Sequence, residues 1–304
     1  MTGRRVPDLD DELRRRLGRR FGTAVESWLD ALPPVLSELA ERWDVEFESL
    51  IPRGSISVVI RCQTAEGCPA VLKVSPERRR VLEEAAALVR WTTVHVPAVL
   101  AVDENVGALL IEAIEPGTPL IESGVYPHLE SLAALIASLH GDGVPDPSYQ
   151  PVAEHIAYLF DAGRMNYERR PELVELIPPE LYERGRELAM HLADDAPATV
   201  LLHGDLTPAN ILDGGEERGL VAIDPAPCLG DAAFDAVDLV LWRAEDVTAM
   251  AARAERLAPA IGAEPERLLE WCSAFAAMVA LEIAEASGDA DERVEPLIAL
   301  ASRF

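Results

Sequence analysis

Near residue 114 this chain changes character, and the change constrains its fold more than any other feature. Before it, "SISVVIRCQ", "CPAVLKVS", "VPAVLAVD" and "VGALLIEAI" are short β-branched runs parted by Gly, Pro or Asp turns, interrupted by the helical "PERRRVLEEAAALVRW". After "EPGTPL" the pattern is helical, beginning with "HLESLAALIASLHG" and continuing at about 151–164, 180–193, 232–251, 264–287 and 291–302. One β-like island breaks that half: "TVLLHGDLTPANILDGGEERGLVAIDPAP", with two apolar runs around Gly214-Gly215 that read as a hairpin. Ahead of the sheet, residues 8–20 and 23–43 carry helix-period patterns, the second broken by Pro33-Pro34. The expected architecture is α+β: N-terminal helices over 1–44, a mostly antiparallel β-rich lobe with one helix over 45–113, a short hinge, and a helical lobe over 114–304.

Composition removes several function classes. A formal net charge of −26 disfavours nucleic acid and anionic membrane as partners, because their phosphates would be repelled, and it suits a cationic substrate. Most of that charge serves solvation. Cys62, Cys68, Cys228 and Cys272 form no C-x-x-C pair and read as reduced thiols. The first 20 residues have no apolar core of the kind a secretory signal needs, and no apolar run reaches 18 residues, so a cytoplasmic protein is expected.

The island holds the sharpest constellation. His203-Gly204-Asp205 is followed five residues after the aspartate by Asn210, and beyond the hairpin by Asp224. A carboxylate, an amide at +5 and a second carboxylate across a hairpin suit phosphoryl transfer. The first orients or deprotonates a hydroxyl, and the other two hold Mg²⁺ on nucleotide phosphates. The spacing D-x-x-x-x-N matches the catalytic loop of protein kinases, with "IDP" in place of their D-F-G segment. A metal-dependent hydrolase built on His203, Asp205 and Asp224 is the rival chemistry, weaker for want of a second histidine cluster.

Lys73 is the only lysine among 304 residues, and it stands in an apolar run. A buried ammonium is costly unless it meets anions, and here those would be nucleotide phosphates. The following helix offers Glu83 and Glu84 as its holder, and helical phase leaves both open. Gly54, Ser55 and Ser57 could let backbone N–H groups approach phosphate, although such stretches are usually ordinary turns. The strand "LLIEAIEPG" could pair with an adenine edge between Ala113 and Glu115. No P-loop or Rossmann fingerprint is present.

Taken together, "LLHGDLTPANIL", "VAIDPAPCLGDAAFD", "GSISVVIRC", "LKVSPE", "EAAALVRW" and "EPGTPL" resemble the aminoglycoside phosphotransferase family, in its streptomycin and hydroxyurea branch, over most of the chain. The resemblance implies a protein-kinase-like bilobal fold and an ATP- and Mg²⁺-dependent O-phosphotransferase. It implies Asp205 as base, Asn210 and Asp224 as Mg²⁺ ligands, Lys73 as phosphate lysine and Glu84 as its partner. Where the family has histidine two residues after the catalytic aspartate, this chain has Thr207. Of the "GDxxFD" aspartates, Asp231 is expected to tie down the catalytic loop or cap a helix, and Asp235 to touch substrate. Asp238, Glu245 and Glu282 complete the acidic candidates for a cationic hydroxyl acceptor, with streptomycin-type aminoglycosides as the leading class. A metabolic kinase acting on an amino alcohol, sugar or hydroxyurea-like compound shares the same core residues. A nucleotide-binding pseudokinase is disfavoured by the intact set Lys73, Asp205, Asn210 and Asp224.

Overall fold

A computed structural model describes residues 5–52, 56–287 and 291–303, so Gly54 and Ser55 of the expected phosphate loop lie outside the described residues. The chain divides into two compact units, residues 1–89 with 96–117, and residues 90–95 with 118–304.

The first unit begins with α1 (Asp11–Phe21). Asp10 starts this helix by accepting the Leu13 N–H at 2.8 Å, and Gly22 ends it at φ 67. Helix α2 (Ala24–Arg42) follows and runs through Pro33-Pro34 without the break expected from sequence. Both prolines are exposed, while Leu29, Leu32, Leu36 and Leu39 stay buried on the opposite side. Burial of that face, worth about 2 kcal/mol per leucine, outweighs the lost hydrogen bonds.

The sheet comprises β1 (Val45–Leu50), β2 (Val58–Thr64), β3 (Pro69–Val74), β4 (Val99–Asp103) and β5 (Ala108–Glu112), antiparallel in the order β1-β2-β3-β5-β4. Strand β1 was not among the runs expected; its acidic "VEFESL" buries only Val45 fully. Helix α3 (Arg78–Arg90) is the single helix inserted between strands. Val58 and Ile60 of β2, Leu72 of β3 and Leu110 of β5 share one core with Leu13, Leu17, Leu29 and Leu36 of the N-terminal helices. Because side chains alternate along a strand, Lys73, paired laterally with Val59 and Leu109, points to the other face.

The second unit carries α4 (Leu120–Ser123), α5 (Leu129–Asp142), α6 (Val152–Arg169), α7 (Leu173–Leu176) and α8 (Pro179–Asp194). The island then forms two small antiparallel ladders, β6 (Val200–Leu202) with β9 (Cys228–Gly230) and β7 (Ile211–Asp213) with β8 (Leu220–Ala222). Between β7 and β8 the chain makes one helical turn, α9 (Gly215–Arg218). Helices α10 (Ala233–Leu241) and α11 (Val247–Leu257) stand where one helix over 232–251 was expected. The split has two causes. Arg243 takes φ 54, and the Asp246 carboxylate accepts the Ala249 N–H at 2.7 Å, starting α11 afresh. Arg253 then donates to the carbonyls of Val240 and Trp242, which α10 leaves open. Helix α12 (Pro265–Ser287) is buried nearly all round, packed by α6, α8, α10, α11 and α13 (Val294–Ala301). Among the described residues no helix is long and apolar enough to cross a membrane.

Candidate active site

In the first unit the Lys73 ammonium lies 2.5 Å from Glu84 Oε1, with both side chains largely buried. Glu83 turns instead to Arg79, at 3.5 Å on the exposed side of α3. The geometry separates the two glutamates that sequence left open: Glu84 faces the sheet and its neighbour faces water. Ser57 is buried at the start of β2. The Ala113 N–H is committed to the Pro69 carbonyl at 3.2 Å, extending the β3–β5 ladder by one rung. An adenine edge between Ala113 and Glu115 would therefore meet the Ala113 carbonyl or the backbone of the next two residues. Glu115 is exposed, and Arg61 donates to its carboxylate at 2.6 Å.

In the second unit the loop between β6 and β7 is assembled around His203, which is fully buried. Its Nδ1 accepts the Asp205 N–H at 3.3 Å, and its Nε2 lies 3.0 Å from the Ile223 carbonyl. A carbonyl only accepts and a backbone N–H only donates, so the ring is the neutral Nε2–H tautomer. His203 thus links the residue expected as base to the backbone beside Asp224, and Trp91 stacks over it at 6.1 Å. With both nitrogens engaged and no exposure, His203 is not available to a metal, which removes the hydrolase reading. Gly204 holds φ 78, and a Cβ there would lie 2.0 Å from the Ala226 carbonyl oxygen, so only glycine fits. Its carbonyl is 2.8 Å from His155 Nε2.

Asp205 is exposed, and Asn210 Nδ2 donates to both its Oδ2 and its backbone carbonyl, each at 2.9 Å. Asn210 is placed by a tight turn in which its N–H donates to the Thr207 carbonyl at 2.9 Å. That bond is made by backbone alone, so threonine at 207 leaves the turn intact. The Ile223 N–H returns to the Asn210 carbonyl at 2.8 Å, tying the second strand of the hairpin to the loop. Asp224 follows at φ 57, a left-handed conformation that aspartate tolerates better than most side chains. The site is held by main-chain and buried side-chain bonds while the Asp205 carboxylate stays open to solvent.

Of the two "GDxxFD" aspartates, Asp231 takes the helix-start place that was one of its two expected roles, and the hold on the loop falls to Asp235. Asp231 does not reach the loop. It accepts the Ala233 N–H at 3.0 Å at the start of α10, and anchors Arg267 at 2.6 Å and Trp271 at 2.8 Å on α12. Asp235, one turn later, has a fully buried carboxylate. Its Oδ2 accepts the His203 N–H at 2.8 Å and meets His140 Nε2 at 2.9 Å, and its Oδ1 accepts the Gly204 N–H at 2.9 Å. A carboxylate so enclosed positions the loop and does not touch substrate. Burial pushes its pKa up, yet the His140 hydrogen bond and charge with the Gly204 amide outweigh this and hold it below the usual carboxylate range. His140 was missed from sequence. Its signal was a polar ring closing the buried face of α5 beside Leu139.

Two other acidic candidates gather near Asp205. Asp238 is the one residue of α10 that is not fully buried, and burial raises its carboxyl to about 6. Glu282 on α12 is exposed to solvent, yet surrounding protein, then the charges of Asp238 and Asp205, raise it to about 7. Glu245 lies apart, exposed between α10 and α11, where its charge acts on Arg253.

Residues 42–287 match the aminoglycoside/hydroxyurea antibiotic resistance kinase family. The chain is 28% identical over 241 residues to streptomycin 6-kinase of Streptomyces griseus, covering 78% of this chain and 74% of that protein. It is 28% identical over 265 residues to hydroxyurea phosphotransferase of Kitasatospora aureofaciens, covering 83% and 73%. In fold it is similar to choline kinase LicA from Streptococcus pneumoniae, with a TM-score of 0.61, 14% identity, and 90% and 100% of the two chains covered. It is also similar to aminoglycoside phosphotransferase APH(4)-Ia, solved as a mutant in ternary complex with AMP-PNP and hygromycin B, at a TM-score of 0.57, 15% identity, and 90% and 100% coverage. Its antiparallel sheet unit and mainly helical unit are those of the kinase-like fold. With the family match spanning most of its length, this chain belongs to the aminoglycoside/hydroxyurea antibiotic resistance kinases.

Proposed function

We propose that the protein transfers the γ-phosphoryl group of ATP to a hydroxyl of a small cationic antibiotic of the streptomycin type, and so inactivates it. The observation that carries this reading is the bonded loop in which Asn210 orients the exposed Asp205 carboxylate while His203 ties Asp205 to the backbone beside Asp224. Asp205 accepts the acceptor's proton as the hydroxyl oxygen bonds to the γ-phosphorus, and the bond to the β–γ bridging oxygen breaks to release ADP. Lys73, aligned by Glu84, offsets charge on the nucleotide phosphates.

The residues fit a magnesium ion. Asn210 spends its NH₂ on Asp205, which leaves its side-chain carbonyl oxygen as the donor, and Asp224 adds a carboxylate. Two hard oxygen ligands suffice for an ion that completes its shell with water and phosphate oxygens. When bound, it would neutralise charge on the phosphoryl oxygens. A cationic acceptor is supported by Asp238 and Glu282, whose charges act on the neighbourhood of Asp205. Incubation with ATP, Mg²⁺ and a panel of streptomycin, other aminoglycosides, hydroxyurea and choline tests the reading by mass. Addition of one phosphoryl group to streptomycin is expected. Turnover of hydroxyurea or choline alone would overturn the acceptor, and no acceptor-dependent ADP with any of them would overturn the kinase.

A further inference from the structure

We propose that His95 is a positioning residue for Asp224, holding the outer edge of the strand that delivers this carboxylate to the site. This rests on the kinase reading, in which Asp224 serves the metal. Residues 90–95 belong to the second unit, and His95 is where they meet the hairpin. Strands β7 and β8 have three residues each, too few to hold a register unaided. Alternation along β8 sends the Leu220 carbonyl and the Ala222 N–H to the side away from β7. His95 takes that outward edge. Its carbonyl accepts the Ala222 N–H at 2.8 Å, and its Nδ1 lies 2.6 Å from the Leu220 carbonyl. A carbonyl only accepts, so Nδ1 carries the proton.

The pattern is that of a parallel strand neighbour, with the ring N–H standing where a main-chain amide would. The His95 amide is already spent on Thr93 Oγ1, at 3.2 Å. Thr93 is held in turn by Ser138 of α5, with 2.6 Å between the hydroxyl oxygens, and Arg218 Nε donates to the Val94 carbonyl at 2.5 Å. One residue, fixed through its N–H, its carbonyl and its ring, thus completes the edge of β8. The hold passes to Asp224 through a single residue. Ile223 donates its N–H to the Asn210 carbonyl at 2.8 Å, and its own carbonyl accepts from His203 Nε2 at 3.0 Å. Asp224 follows at φ 57, outside any strand or helix, so the register of β8 aims its carboxylate. His95 touches no reacting atom in this scheme. Outer partners of a metal ligand are worth about 10- to 100-fold in metal affinity; His95 acts from one step further out, so about tenfold is expected.

Full-length His95→Leu and His95→Asn variants test this, since asparagine offers an amide N–H near the place of the Nδ1–H and leucine offers none. Two readouts apply, and neither needs turnover: amide exchange of residues 220–224, and the gain in AMP-PNP affinity on adding Mg²⁺. In His95→Leu, exchange of that stretch should quicken about tenfold while α12 is unchanged. The Mg²⁺ gain should shrink about tenfold while metal-free AMP-PNP affinity holds. His95→Asn should recover most of both. Unchanged exchange, an unchanged Mg²⁺ gain, metal-free affinity lost in equal measure, or a loss that His95→Asn leaves unrepaired would each overturn the role of His95. A wild-type protein whose AMP-PNP affinity ignores Mg²⁺ would overturn it together with the metal role of Asp224. A wild-type protein that shows the Mg²⁺ gain but transfers no phosphate would overturn the proposed function and leave His95 to be decided by these two readouts.

Discussion

At the scale of single residues, the buried Lys73–Glu84 pair couples stability to chemistry. Removing one partner of a buried pair strands the other charge, at a cost of about 3–5 kcal/mol. Glu84→Ala is therefore expected to lower stability in urea unfolding by roughly that amount as well as weaken nucleotide binding. Lys73→Arg keeps the charge but replaces a compact ammonium with a planar fork, in a pocket where the side chain is only 6% exposed. It should lose activity against ATP; a wild-type rate would mean that the chain's one lysine is an accident of composition. The raised carboxyls of Asp238 and Glu282 fix the pH behaviour. Both are ionised above pH 7 and neutral well below 6, so the KM of a cationic acceptor should rise as pH falls from 8 to 6, while a neutral acceptor's should not. The stability sign is opposite. An acid whose folded pKa lies above its unfolded value destabilises the fold as pH rises through the folded pKa. Asp238→Asn should thus raise Tm at pH 8 and leave it unmoved near pH 4, while weakening the cationic acceptor.

At the scale of elements, α10 and the loop between β6 and β7 form one device. Asp235 clamps the amides of His203 and Gly204 and is itself held by His140 from α5. An amide in its place would set an NH₂ against those donors. Asp235→Asn should therefore cut kcat by more than tenfold with nucleotide affinity little changed, whereas Asp231→Asn should chiefly lower Tm through α10 and α12. Equal effects of the two on kcat would refute the assignment of the loop to Asp235. Gly204→Ala meets both a left-handed φ and the Ala226 carbonyl, and should lose folding or activity outright. The motif spacing made both aspartates legible in sequence, but not which of two carboxylates a turn apart points inward; that depends on α10 being buried against α12. The same limit explains α2. The rule that proline ends a helix was outweighed by an apolar face that continues past it. Strand β1 stayed hidden because its alternation is short and largely acidic.

At the scale of the whole molecule, charge is unevenly shared. The first unit sets 14 basic residues against 19 acidic ones, and the second only 13 against 34. The excess sits in the unit that carries Asp205, Asp238 and Glu282, where it would draw cations from solution. Long-range attraction of this kind is screened within about 8 Å at physiological salt. kcat/KM for a cationic acceptor should accordingly fall as salt is raised from low ionic strength, and that for hydroxyurea should not. The lone Lys73, the H-G-D-x-x-x-x-N loop and the switch from strands to helices were all readable from the chain. The positioning residues His140 and His155 were not, because each acts on a backbone group or a carboxylate distant in sequence.

The central claim is that Asp205 is the base of a phosphoryl transfer, and one comparison tests it most directly: ATP turnover and AMP-PNP affinity of Asp205→Asn beside wild type, with streptomycin as acceptor. Loss of turnover by about 10²- to 10⁴-fold with nucleotide affinity retained is expected, since the lysine, amide and second carboxylate remain. Turnover at the wild-type rate would contradict it.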